Sequence, residues 1–155
     1  MLVIGIGNEF RQDDGVGIVV ARQVKAAARP GVEVYERSGE GTDLIAAWEG
    51  RDTVIVIDAV ASGAADGTVH RFVIDAHGAD ETAPFPSSRI FRGTSHQVGL
   101  GEGIELARLL GQLPRRLIVY GIESRAFGEG VGLTAPVAAA GAQVAARILA
   151  DLSRD

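Results

Sequence analysis

Three short, uninterrupted apolar runs constrain this chain more than any other feature: LVIGI at 2–6, TVIVI at 53–57 and LIVY at 117–120. A strand with no alternation of polar and apolar positions is buried on both faces, which happens almost only in a parallel sheet covered by helices on each side. The intervening segments supply those helices. Val16, Val19, Val20, Val24 and Ala27 recur at helical spacing from about Asp14, and Pro30-Gly31 stops the pattern. Leu100, Ile104, Ala107 and Leu110 predict a second helix from about Val98, ending near Gly111 and Pro114. Val137, Ala140, Val144, Ile148 and Leu152 predict a C-terminal one, with Thr134 as its N-cap. Residues 32–37 alternate like a strand, and Thr42 is placed to cap a short helix through Trp48 that Gly50 ends. The mixed alternation of GTVHRFVI at 67–74 suits a strand nearer an edge, and residues 75–94 read as a long loop. The expected fold class is α/β: a three-layer α/β/α sandwich with a mainly parallel central sheet of about five strands, residues 1–155 forming a single domain.

Composition removes several functions. With 15 basic against 20 acidic residues the formal charge is -5, and no basic face is evident, so no nucleic-acid partner is expected. The absence of cysteine excludes disulfides, thiolate metal sites and a cysteine nucleophile. The apolar start MLVIGIG is too short to span a bilayer and lacks the features of a secretory signal. A soluble, cytoplasmic protein without membrane association is expected.

In a parallel sheet of this kind, ligands bind at the carboxyl ends of the strands near a switch in strand order. That rule directs attention to Gly7–Asp14, Asp58 onward and Gly121–Glu123. The first junction is not a dinucleotide fingerprint, because Phe10 stands where the third glycine belongs and two carboxylates would repel a pyrophosphate. One of Asp13 and Asp14 is expected to cap the helix; the other is left at the strand ends, where a second carboxylate calls for a cation. Asp58 closes its strand and opens onto the same edge as Asp14. Of the three histidines, His70 falls within a strand pattern and suits a structural or surface role, and His77 lies beside Gly78 in the long loop. His96 lies at a loop-to-helix junction that can face the strand ends. Asp14, Asp58 and His96 together suit a divalent transition metal with open positions; nickel and zinc both tolerate that set.

GIGNEFRQDDGVG at 5–17 resembles the N-terminal signature of the hydrogenase maturation proteases, Gly-x-Gly-Asn followed by an acidic pair and glycine. The similarity continues through VIVIDAV at 54–60 and Gly67, SHQVGL at 95–100, YGIE at 120–123 and the Gly-Leu-Thr before the last helix. It covers essentially the whole chain in the family's order. The resemblance implies an endopeptidase that removes the C-terminal extension from the nickel-loaded precursor of the NiFe-hydrogenase large subunit. It also implies that Asp14, Asp58 and His96 grip nickel that arrives on the substrate, with Asp14 or Asp58 as general base. Asn8 is expected to orient Asp14 or donate to a developing oxyanion, and residues 39–42 with the 75–94 loop to form the groove for the substrate tail. Departures from the pattern are Glu9, Phe10 for leucine, Gln97 for a frequent acid and Ser124 for a common proline. They bear on the substrate subgroup. A serine mechanism through Ser95 beside His96 is disfavoured because adjacent residues rarely align for a proton relay. The alternatives are a nucleotide-binding α/β enzyme and a non-catalytic nickel-binding maturation factor.

Overall fold

Strands β1 (Leu2–Ile6), β2 (Glu33–Arg37), β3 (Thr53–Val60), β4 (Val69–Asp75) and β5 (Arg116–Glu123) form one sheet in the computed structural model, which describes residues 1–27, 29–76 and 99–154. Their order is β2-β1-β3-β5-β4. All pairings are parallel except that of the edge strand β4 with β5. The expected edge position of 67–74 is thus borne out, and the three apolar runs occupy the central strands, as double-sided burial requires.

The helices are α1 (Val16–Ala27), α2 (Gly41–Trp48), α3 (Leu100–Leu109) and α4 (Ala135–Leu152). The sheet separates two cores. On one side Val54, Val56 and Val60 of β3 meet Leu44 and Trp48 of α2 and Leu100 and Ile104 of α3. On the other, Ile55 and Ile57 meet Val16, Val20 and Val24 of α1 and Val137, Val144 and Ile148 of α4. Because the chain leaves β1 for β2 on one side and returns past it to β3, α1 and α2 lie on opposite faces of the sheet.

Several boundaries differ from expectation. A 3-10 turn, Gln12–Gly15, precedes α1, so the regular helix begins two residues after Asp14. Glu40, not Thr42, holds the N-cap position of α2. β3 does not end at Asp58; it continues to Val60, because β5 offers it partners through Glu123. Tertiary pairing outweighs one polar residue in a strand.

The glycines of the first motif serve packing. A Cβ on Gly17 would fall on the carbonyl oxygens of Ile6 and Ile57, and one on Gly5 would fall on the carbonyl of Gly17. Helix α1 therefore seats directly on the backbone of β1 and β3. Because both obstacles are main chain, Gly17→Ala cannot be relieved by rotamer changes. Thermal melts are expected to show about 3 kcal/mol of destabilisation, and a variant as stable as the native chain would contradict this packing.

Candidate active site

The switch in strand order falls between β1 and β3, since the chain leaves β1 for β2 on one side and returns to β3 on the other. The loop after β1 and the carboxyl end of β3 flank this crevice, and they carry Asp14 and Asp58. Asp58 is half-buried and lies between Val56 and Val60 on the α2/α3 face of the sheet. Burial pushes its carboxyl up to about 8; the neighbouring Asp14 carboxylate adds to the rise, and the Ala59 backbone N–H opposes it. A poorly solvated carboxyl beside a second one is the electrostatic setting that a bound cation or a transferable proton relieves. The donor set is chemically suited to a divalent metal.

Asp14 is held by main chain. The Asn8 backbone N–H donates to its Oδ2 at 3.1 Å. The Asn8 side chain is occupied elsewhere, its Oδ1 accepting from the Phe10 N–H at 3.0 Å. Asn8 thus reaches Asp14 through its backbone N–H. Gly7 permits this approach, with φ of 145° and a hypothetical Cβ falling on the Asp14 carbonyl. His96, together with Ser95 and His77, lies outside the described residues. Among the described residues no group of three potential metal ligands converges.

Neither acid of the adjacent pair is a helix N-cap. Arg11 occupies the cap of the 3-10 turn without a side-chain bond. Asp13 is fully buried, and its carboxylate accepts from Ser124 Oγ at 2.6 Å, the Thr134 N–H at 2.7 Å and Thr134 Oγ1 at 2.7 Å. Thr134 does precede α4, as expected, but its hydroxyl bonds Asp13 instead of capping its own helix. The division of labour between the two acids originates at Gln12, whose φ of 51° places it in the left-handed region. Its N–H is anchored on Gly130 O at 2.8 Å, and the Asp13 N–H on Ala126 O at 3.1 Å. The chain thus turns so that Asp13 enters the 124–134 loop while Asp14 acts on Asp58. The one sequence clue was Ser124, the residue standing where the resembling family has proline: it is buried and serves Asp13.

A second buried carboxylate lies at the third place the strand-end rule picked out, although its partners were not foreseen. Glu123, at the end of β5, is paired with His70 and with Ser62. Most of the 75–94 loop expected to form the substrate groove with residues 39–42 lies outside the described residues. A cleft of about 310 Å³ lies at the ends of β1 and β2, lined by Gly7, Asn8, Phe10, Ile18, Arg37 and Ser38 among others. The hydrogenase maturation protease profile matches residues 18–151.

The chain belongs to the hydrogenase maturation protease family. It is similar to the hydrogenase expression/formation protein HoxM of Azotobacter vinelandii, with 31% identity over 142 residues covering 90% of this chain and 65% of that protein. It thus spans just under two thirds of the length of the curated Azotobacter relatives it matches. The crystal structure of a hydrogenase 2 maturation peptidase from a Thaumarchaeota archaeon superposes with a TM-score of 0.70 at 26% identity, covering 99% of this chain and 98% of that one. The hydrogenase maturating endopeptidase HybD of E. coli shares the fold with a TM-score of 0.76 at 24% identity, covering 99% and 91%. Among the described residues no helix is long and apolar enough to cross a membrane.

Proposed function

We propose that this hydrogenase maturation protease is an endopeptidase that removes the C-terminal extension from the nickel-loaded precursor of a NiFe-hydrogenase large subunit. The observation that carries the reading is the pairing of Asp14 and Asp58 across the switch point, with Asp58 poorly solvated and short of a counter-charge. Nickel borne by the substrate supplies that charge, gripped by Asp14, Asp58 and His96. Cleavage then depends on metal loading, because without a cation the Asp58 carboxyl keeps its proton and offers neither a charged ligand nor a base. One of the two takes the proton of the attacking water as general base. Exposed Phe10 and Val131 sit on loops joined by the Gly130 N–H to Phe10 O bond and offer a macromolecular substrate apolar purchase at the rim.

The nucleotide-binding alternative fits poorly. At the start of α1, Gly17 is packed against two carbonyl oxygens, and the preceding turn is acidic, where a phosphate needs free N–H groups. A non-catalytic nickel factor would share the site and differ only in outcome. Incubation with nickel-loaded precursor should give a mass loss equal to the C-terminal tail. Intact precursor under nickel-replete conditions would overturn the proposal. Asp14→Asn should slow processing by more than about 100-fold while its circular dichroism stays native.

A further inference from the structure

The buried Glu123 carboxylate has no part in the site as described so far. It is 1% exposed and accepts from the Ser62 N–H at 3.2 and 3.1 Å and from Ser62 Oγ. Its Oε1 also lies 2.9 Å from His70 Nε2. The His70 ring is further fixed by stacking on Phe72, with centroids 6.5 Å apart and planes 11° from parallel. Since the serine bonds the carboxylate and not the imidazole, this is no serine nucleophile with its base. It is an imidazole whose tautomer and orientation are set by a carboxylate, the arrangement by which active sites prepare a histidine to exchange protons.

Its position in the sheet connects it to Asp58. Asp58 pairs with Gly121, and Gly121 pairs with His70, so the three form one row across β3, β5 and β4. Paired residues project to the same face, here the face of α2 and α3. The middle residue of the row has no side chain; the Glu123 side chain, on the same face two residues further along β5, reaches His70. Their Cα atoms are two strand spacings apart, about 10 Å. A peptide laid over Gly121 would meet the Asp58 carboxyl from one neighbouring strand and the His70 ring from the other. His70 keeps part of its side chain exposed, and with Nε2 spent on Glu123 its Nδ1 has no hydrogen-bond partner among the described residues.

We propose that His70, held by Glu123, is a further catalytic residue of this site: the general acid that protonates the leaving amine of the scissile bond. This rests on the endopeptidase reading above. The oxygen of water bonds to the carbonyl carbon while one of its protons passes to the carboxylate base. The C–N bond then breaks, its electron pair stays on nitrogen, and that nitrogen takes the proton from Nδ1 of the imidazolium. Glu123 stays ionised throughout, and neutral His70 is reprotonated as the base releases its proton through water.

The test is steady-state processing of nickel-loaded precursor by the full chain. His70→Gln preserves a donor to Glu123 and removes only the transferable proton. It should lower kcat by about 100-fold or more with KM within about twofold, and Glu123→Gln should lower kcat about tenfold with KM likewise unchanged. Imidazole added to His70→Gly should restore part of the lost rate. Native kcat in His70→Gln would overturn the inference and leave the endopeptidase reading standing. So would a loss that appears mainly in KM, or one that imidazole does not relieve in a folded His70→Gly, since either marks a purely structural pair. Failure of the native chain to cut nickel-loaded precursor would overturn both together.

Discussion

Asp58→Asn is expected to raise the melting temperature of the metal-free protein at pH 8 by about 5 °C while abolishing precursor processing. The stability half follows from linkage. The Asp58 carboxyl, ordinarily near 3.8, is pushed up to about 8 by burial and by Asp14. Below pH 4 it is protonated in both folded and unfolded chains and contributes nothing. As the pH rises from 4 to 8 the unfolded chain releases this proton and the folded chain retains it, so stability falls; above 8 the penalty is complete. Four pH units correspond to on the order of 5 kcal/mol. Relaxation and water entry reduce the realised effect to about 2 kcal/mol, or roughly 5 °C for a chain of this length. Asparagine keeps the shape and can still accept from the Ala59 N–H, but it never ionises. The native and variant melting curves should therefore converge near pH 4 and separate progressively toward pH 8. A variant less stable than the native chain at pH 8 would show that Asp58 is a structural acid. Gain in stability with loss of processing is the signature of a group retained for chemistry at the expense of the fold.

The sheet was legible because double-sided burial leaves a mark in the sequence that needs no partner to be seen: residues 2–6, 53–57 and 117–120 are apolar throughout. The positions of Asp14 and Asp58 followed from topology, since parallel strands open their carboxyl ends on one edge. What stayed hidden was long-range. Asp13 and Asp14 are adjacent and chemically alike, and only the left-handed Gln12, pinned to Gly130, sends them to different tasks. His70 reads as a strand residue, which it is. Its pairing with Glu123 depends on β4 running antiparallel beside β5, and no local pattern in either strand encodes that neighbour. Asp58 was placed at a strand end because a polar residue interrupts the apolar run, whereas hydrogen bonding to β5 carries the strand to Val60. In each case a contact between distant segments decided the outcome, and it overturned the local expectation of a capping aspartate and of a strand ending at Asp58.

The sharpest separation of the two adjacent acids is expected from alanine. Asp13→Ala removes the common acceptor of three donors, the Thr134 N–H, Thr134 Oγ1 and Ser124 Oγ; Asp13 and Ser124 are fully buried and Thr134 lies at the surface. Each hydrogen bond to a charged group is worth about 1.5–3 kcal/mol, partly recovered where the Thr134 donors reach water or a hydroxyl turns to another acceptor. A loss of about 4 kcal/mol is expected, lowering the melting temperature by roughly 10 °C. The effect should be coupled: Ser124→Ala, harmful in the native background, should add little once Asp13 is gone, since both act on one network. Asp14→Ala should behave oppositely. It removes a charge that disfavours ionised Asp58 and forfeits one bond to the Asn8 N–H, so its stability should change by less than about 1 kcal/mol. Thermal melts of the two variants, with processing measured well below either midpoint, test the assignment. Asp13 variants should lose stability first and activity through the loosened 124–134 loop, whereas Asp14 variants should lose activity while remaining folded. Equal destabilisation by the two replacements would mean that the acids share one structural role, and the proposed site would then lose its first carboxylate.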